Sequence, residues 1–260
     1  MPYEFDAEKY RQASSHQQSW GQRLIDELAL AGSERILDLG CGDGRLTAVL
    51  AGLVPQGRVL GIDASRNMIE QARHSHAAAN LEFRQLDINE MDFEGMSDLI
   101  FSNATLHWIK DHGRLLSRAY RALASGGQVR FNFAGQGNCV NFIEVVRQTM
   151  AEESFATYFR DFDWPWFMPG VAEYERLLAT SGFEATKVWL EDAETVFPTA
   201  AALIGWIDQP SLVPFMTCIA GPDGRRFRDI VVDRMLERTR QADGTYLEGF
   251  VRMNVRAVKS

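Results

Sequence analysis

The run R-I-L-D-L-G-C-G-D-G, residues 35 to 44, decides how the chain reads. A short apolar strand (Ile36, Leu37, Leu39) feeds glycines at Gly40, Gly42 and Gly44, and a helix-like run follows from Arg45 to Leu53. Glycines at such a strand-to-helix turn permit positive φ and let backbone approach a ligand closely. The unit suits a nucleotide-like cofactor.

Charge narrows the choice of cofactor. A dinucleotide fingerprint needs G-x-G-x-x-G with a pyrophosphate on the helix N-terminus. Here the third glycine comes one residue early, Arg45 takes its place, and Asp38 and Asp43 crowd the spot a pyrophosphate would occupy. Like charges that close repel. S-adenosylmethionine instead presents an ammonium and a sulfonium, so an acid there attracts it. The segment Asp38 to Gly44 resembles the first motif of the class I S-adenosylmethionine-dependent methyltransferases, an acidic residue followed by G-x-G-x-G. The resemblance implies an α/β fold: a three-layer, Rossmann-like, seven-stranded sheet, mostly parallel with an antiparallel last strand, plus helical lid insertions. It also implies cofactor contacts at Asp38, Gly40, Cys41 and Gly42, with Cys41 acting through its backbone.

Composition sets outer bounds. The 260 residues, 46% hydrophobic and 24% charged, suit one globular domain with an ample core. No apolar run reaches the ~18 to 20 residues of a membrane span, and the polar N-terminus lacks a signal peptide's apolar stretch. A net charge of -8 argues against nucleic-acid partners. Cys41, Cys139 and Cys218 are odd in number and far apart, which excludes a disulfide framework or a C-x-x-C metal site. A cytoplasmic protein, monomer or homodimer, is expected.

Beyond the glycine loop, R-V-L-G-I-D (58 to 63) is a second strand ending in an acid about twenty residues downstream, the spacing at which a carboxylate takes ribose hydroxyls. Asp63 is assigned that role, with Ala64 beside it. Ser65 then caps a helix. The resemblance sets Met68 against the adenine. After the third strand, Leu81 to Asp87, it implies that Asp87 and the Ile88 amide read the adenine edge. The fourth strand delivers S-N-A-T-L-H-W (102 to 108). Ligands lie outside the carboxyl ends of such strands, so Asn103 is expected near the cofactor, with His107 and Trp108 at the reacting centre. This run is similar to that of the trans-aconitate and juvenile hormone acid types of carboxylate methyltransferase. In relatives of that kind the segment before the first strand closes the pocket, which puts Gln17, Gln18 and Trp20 at the substrate.

The remaining pattern predicts a helix at Asp111 to Ala124, a fifth strand, a helix at Asn141 to Phe162, and another at Val171 to Ser181 stopped by Gly182. A sixth strand at Phe183 to Phe197, a helix at Arg225 to Arg240 and a last strand at Tyr246 to Val258 complete the reading. The arginines of the Arg225 helix are expected on a solvated face, balanced by acids at helical spacing. We divide the chain into an N-terminal helical cap (1–34), a cofactor-binding core (35–135) and helical lid insertions (136–168 and 198–243). Trp166 and Trp206 are expected to meet the substrate from the lid, which favours an organic acid with hydrophobic parts.

Methyl transfer from a sulfonium is an in-line displacement, and a carboxylate acceptor needs no base. O-methylation of a carboxylate is therefore the expected reaction, with Gln17 and His107 positioning the acceptor. Methylation of a carbon, nitrogen or phenolic oxygen of another metabolite would enlist His107 as a base; a carrier-bound acyl carboxylate is a further possible acceptor. A nicotinamide-dependent oxidoreductase and a non-catalytic cofactor-binding protein are the readings from other classes. No metal is expected.

Overall fold

The computed structural model describes the backbone of residues 15–260, and the side chains of residues 20–260 except Pro210. Helix α1 (Ser15–Asp26) precedes β1 (Arg35–Leu39), α2 (Arg45–Leu53), β2 (Arg58–Asp63), α3 (Arg66–Ser75), β3 (Leu81–Gln85), β4 (Ser97–Asn103), α4 (His112–Ala122) and β5 (Leu123–Ala134). Then come α5 (Val140–Met150), α6 (Val171–Thr180), β6 (Glu184–Asp192), β7 (Thr195–Phe197), α7 (Ala200–Trp206), α8 (Val213–Met216), α9 (Gly221–Thr239), β8 (Tyr246–Glu248) and β9 (Val251–Val258).

Seven strands form one sheet in the order β3-β2-β1-β4-β5-β9-β6. β9 runs antiparallel to both its neighbours while the strands from β3 to β5 pair in parallel. Strands β1 and β4 read as near-continuous apolar runs because helices cover both faces of a parallel sheet. Leu37, Leu39, Ile100, Phe131 and Val255 pack toward α4 and α6, and Ile36, Leu99 and Phe101 toward α1 and α2. The strand order reverses between β1 and β4, and that switch point opens a crevice at their carboxyl ends.

Local chemistry sets the helix ends. Ser65 Oγ accepts from the Met68 amide at 3.4 Å to start α3, and Asp111 accepts from the Arg114 amide at 2.9 Å to start α4. Gly182, at φ 86°, ends α6 as its sequence position predicts. Among the described residues no helix is long and apolar enough to cross a membrane.

Four expectations need adjusting. The helix expected to reach Phe162 stops at Met150, and turns follow that seat Phe155 and Phe159 against Phe227 at 5.3 and 5.1 Å between ring centroids. The last helix begins at Gly221, four residues early, with Pro222 in its first turn, a favoured place for proline. Its arginines are mostly exposed, as expected, but the acids that balance them lie largely on other elements: Arg228 holds Asp208, Arg234 holds Glu152 and Arg238 holds Glu144. Finally, both long strands of the edge hairpin break together. β6 ends at Asp192 and β9 starts at Val251, and beyond them β7 and β8 pair as a separate two-stranded ribbon. The break turns Phe250 inward, 4% exposed, between Trp20 and Trp206. That second apolar cluster joins α5, α7, α8 and α9 to α1.

Candidate active site

The glycine loop caps the carboxyl end of β1, and its three glycines all take left-handed φ, 72° at Gly40, 54° at Gly42 and 80° at Gly44. A Cβ at Gly40 would lie 2.1 Å from the Thr105 side chain, whose hydroxyl donates to the Gly40 carbonyl at 3.1 Å. Glycine there lets the loops after β1 and β4 close on each other. A Cβ at Gly42 would meet nothing within 4 Å, which leaves open space above the loop.

The direction of the loop amides bears on what fits that space. Gly40 and Cys41 both donate to the Ile62 carbonyl, at 2.8 and 3.0 Å, and Gly42 donates to Asp63 Oδ2 at 3.0 Å. A pyrophosphate nest would aim these N–H groups at the ligand. Here they serve β2, and the charges at the loop are negative. Asp38 is 3% exposed beneath it, bonded by the Thr47 hydroxyl at 2.7 Å. Burial pushes its carboxyl up to about 7; the Thr47 bond opposes that rise and the nearby Asp63 charge adds to it. Two acids held this close invite a cation. The pair and the open cradle fit S-adenosylmethionine.

Asp63 also accepts from the Ser65 amide at 2.8 Å, so one carboxylate joins the glycine loop to the start of α3. Met68 is 5% exposed one turn into that helix. Asp87 caps the turn Ile88–Glu90, accepting from the Asn89 amide at 2.8 Å, and Ile88 is buried beneath it. Cys41 is buried and its thiol is held well above its ordinary range, first by burial and then by Asp38 and Asp63. It is an inert thiol, as a backbone contact would be.

The loop after β4 carries the other candidates. Asn103 ends the strand, and its amide nitrogen lies 2.9 Å from where a Cβ on Gly21 would stand, so α1 packs closely over it at a glycine. His107 and Trp108 belong to the turn Leu106–Trp108. That turn is pinned from behind by His112, 2% exposed, whose Nε2 meets the Leu106 carbonyl at 2.9 Å. A carbonyl only accepts, so Nε2 carries the proton and Nδ1 accepts from the Tyr174 hydroxyl at 3.1 Å. His107 differs: its Nδ1 is buried with no hydrogen-bond partner among the described residues. Burial chiefly, then the positive charge of Arg252 and that of His112 whenever it is protonated, pull its imidazole down to about 3. His107 is thus neutral throughout the working pH range.

Trp108 packs edge-on to Trp166 at 5.7 Å, and the Phe167 amide donates to the His107 carbonyl at 2.8 Å. The 136–168 segment is thereby tied to the loop bearing His107. Trp206 lies one ring away from Trp166, since Phe142 packs on both, at 6.3 Å from Trp166 and 5.6 Å from Trp206. It is 2% exposed within the second apolar cluster, against Phe142, Phe197 and Phe250. The side chains of Gln17 and Gln18 lie outside the described residues.

The sequence reading passed over a polar layer beneath α1. Arg130, Asn132, Arg252 and Asn254 are all under 5% exposed. Arg130 donates to Glu27 and to Asn254, Asn132 donates to Asn254, and the Arg252 Nε donates to Asn132 Oδ1 at 2.8 Å. The available signal was alternation: R-F-N on β5 and R-M-N-V-R on β9 put polar residues on one face of strands too central to face water.

Known proteins agree with this geometry. Residues 36–127 match the family model described as methyltransferase domain. A trans-aconitate 2-methyltransferase of Deinococcus radiodurans is 34% identical over 214 residues, 80% of each chain. The chain belongs to the class I methyltransferases. This methyltransferase is also similar to a malonyl-[acyl-carrier protein] O-methyltransferase of Acetivibrio thermocellus, 36% identical over 52% of this chain and 48% of that one. A Haemonchus contortus phosphoethanolamine N-methyltransferase 2, solved in complex with S-adenosyl-L-methionine, shares the fold: TM-score 0.61 at 20% identity, covering 97% of this chain and 56% of that one. The methyltransferase depends on S-adenosylmethionine, and the nicotinamide reading falls. Among the described residues no group of three or more His, Cys, Asp or Glu is placed to hold a metal ion.

Proposed function

We propose that this methyltransferase esterifies a carboxylate of a small organic acid. The observation that carries the reading is His107. A histidine held near 3 is a poor base at neutral pH, which favours an acceptor that needs no deprotonation, as a carboxylate does not. The relatives point the same way, being named for trans-aconitate and for malonyl-[acyl-carrier protein], both of which bear carboxylates.

When bound, S-adenosylmethionine supplies an electrophilic methyl on a sulfonium. Asp38 faces its cationic end, Asp63 takes the ribose hydroxyls, and Met68, Asp87 and Ile88 hold the adenine, with Gly40, Cys41, Gly42, Ala64 and Asn103 completing the cradle. Neutral His107 and the Trp108 indole orient the acceptor, together with Trp20, Gln17 and Gln18. Trp166 forms a wall. The 1–34 and 136–168 segments, backed by 198–243, keep water out, which strengthens each polar contact inside.

The test is a panel of carboxylic acids with radiolabelled methyl donor, followed by base treatment of the product. A methyl ester releases its label as methanol. Label that resists alkali sits on carbon or nitrogen and overturns the proposal. With cofactor and acceptor saturating, kcat should be flat from roughly pH 6 to 8, since no active-site histidine titrates there.

Asp38 gives a further expected result. Its carboxyl sits near 7 without ligand, and a bound cation favours the ionised form. Below pH 7 binding must expel a proton, so the Kd for S-adenosylmethionine should rise about tenfold per pH unit as pH falls toward 5. Above pH 7 it should level off. Calorimetry in buffers of different ionisation enthalpy measures the released proton, and Asp38→Asn should abolish it.

A further inference from the structure

The turn Leu106–Trp108 carries side chains assigned to the acceptor, and its own backbone has to aim them. His107 Nδ1 has no hydrogen-bond partner among the described residues, so no bond at that nitrogen sets the ring. The backbone also leaves β4 under strain: Ala104 holds φ 57°, a left-handed value that a side chain disfavours. Such a conformation persists only where its surroundings over-determine it. At the start of the turn the Ala104 amide donates to the Asn132 carbonyl at 2.7 Å and the Thr105 hydroxyl to the Gly40 carbonyl at 3.1 Å. Behind it stand His112 and Tyr174.

Tyr174 of α6 is 0% exposed, and burial pushes its phenol pKa up, so the hydroxyl keeps its proton and donates to His112 Nδ1 at 3.1 Å. His112 in turn donates from Nε2 to the Leu106 carbonyl at 2.9 Å, one residue before His107. Burial holds this imidazole down at about 4, against the opposing pull of the Leu106 bond, so the ring is neutral and carries a single proton. The direction of the relay is thereby forced. A ring with one proton props the carbonyl only if Nδ1 bears a lone pair, and that buried lone pair needs a donor, which Tyr174 supplies. Without the hydroxyl the ring either leaves Nδ1 unsatisfied or moves its proton there and sets the Nε2 lone pair against the carbonyl. Both loosen the turn. The His112 ring also packs on Phe167 at 4.7 Å, and the Phe167 amide holds the His107 carbonyl at 2.8 Å, so a shift of His112 reaches His107 from two directions.

We infer that Tyr174 and His112 are positioning residues for methyl transfer, a hydrogen-bonded relay from α6 that fixes the ring of His107 against the acceptor. The inference rests on the role given to His107 above. Both residues act through the turn, being at most 2% exposed. An in-line displacement tolerates little misplacement of its reacting groups, so losing the relay lowers the rate of the bound complex far more than it weakens cofactor or acceptor binding.

The test uses the full chain with isotope-labelled histidine and S-adenosylhomocysteine bound. The chain has 5 histidines, so their ring signals in nitrogen NMR are assignable by substitution. His112 should show the Nε2–H tautomer, and in Tyr174→Phe the ring signals of both His112 and His107 should shift or split. With the best acceptor of the carboxylic acid panel, Tyr174→Phe should lower kcat roughly tenfold or more, with KM and the S-adenosylhomocysteine Kd within about threefold of the parent. His112→Gln, whose amide can still donate to the Leu106 carbonyl, should keep more of kcat than His112→Ala. In a His107→Ala background Tyr174→Phe should lower kcat less than about threefold further, since the two changes act on one element. S-adenosylhomocysteine binding by each variant reports that the fold is intact, and the His112→Gln and His112→Ala pair decides if Tyr174→Phe does not fold. If acids are methylated and Tyr174→Phe keeps kcat within threefold, or lowers it equally with and without His107, the relay falls and the carboxylate reading stands. If no acid is methylated the carboxylate reading falls, and the His107 signals alone decide the relay: moved by Tyr174→Phe they uphold it, unmoved they overturn it.

Discussion

Asp63→Ala should raise the Kd for S-adenosylhomocysteine roughly 10²- to 10³-fold, a loss of about 3 to 4 kcal/mol. The size follows from the number of bonds one carboxylate makes. Hydrogen bonds to a charged group are worth about 1.5 to 3 kcal/mol each, and Asp63 is assigned two to the ribose. It also holds Gly42 at 3.0 Å and Ser65 at 2.8 Å, so its removal loosens the loop against α3 as well. Asp63→Asn separates the contributions, since it retains one acceptor and introduces a donor facing the Gly42 amide. It should bind better than the alanine variant and far worse than the parent. Calorimetry that finds either variant within threefold of the parent removes Asp63 from the cofactor site.

Trp206→Ala should cost about 3 to 5 kcal/mol of stability and lower the melting temperature by roughly 6 to 20 °C. Trp206 meets Phe142 edge-on at 5.6 Å, Phe250 edge-on at 5.4 Å and a tilted Phe197 at 5.6 Å, and removing the indole would strand three aromatic rings. Burial at 2% exposure makes it a packing residue first. A substrate contact would behave the other way, with near-normal melting and a collapse of kcat/KM. The pair of measurements therefore decides whether Trp206 belongs with Trp108 and Trp166.

Most of the cofactor half was legible because local chemistry dictates it. The spacing of Gly40, Gly42 and Gly44 and the acids ending β1 and β2 are constraints within one strand-turn-helix unit, so a single sequence displays them. The second half was less legible for a physical reason. Apolar strands at 183 to 197 and 246 to 258 look continuous, and nothing local announces that both break to bury Phe250. Trp206 and Trp166 are equally aromatic in sequence, yet three-dimensional packing sends one inside and leaves the other half-exposed beside Trp108. Arg252 is the sharpest instance. Alternation with Met253 and Val255 sets it on the opposite face of β9, and nothing local announces that Trp20 of α1 and Asn132 of β5 cover it there.

The paired ribbon of β7 and β8 has a consequence for how this scaffold changes over time. The chain departs the sheet at Asp192 and re-enters at Val251, residues that face each other across the strand pair, and Thr195 faces Glu248 just beyond. Any segment spliced between those points starts and finishes at neighbouring positions, and the entropy of closing it grows only slowly with its length. The apolar cluster that backs Trp20 is thereby free to change by exchange of a cassette, while β1, β2 and the loops that carry the methyl-donor residues are left untouched.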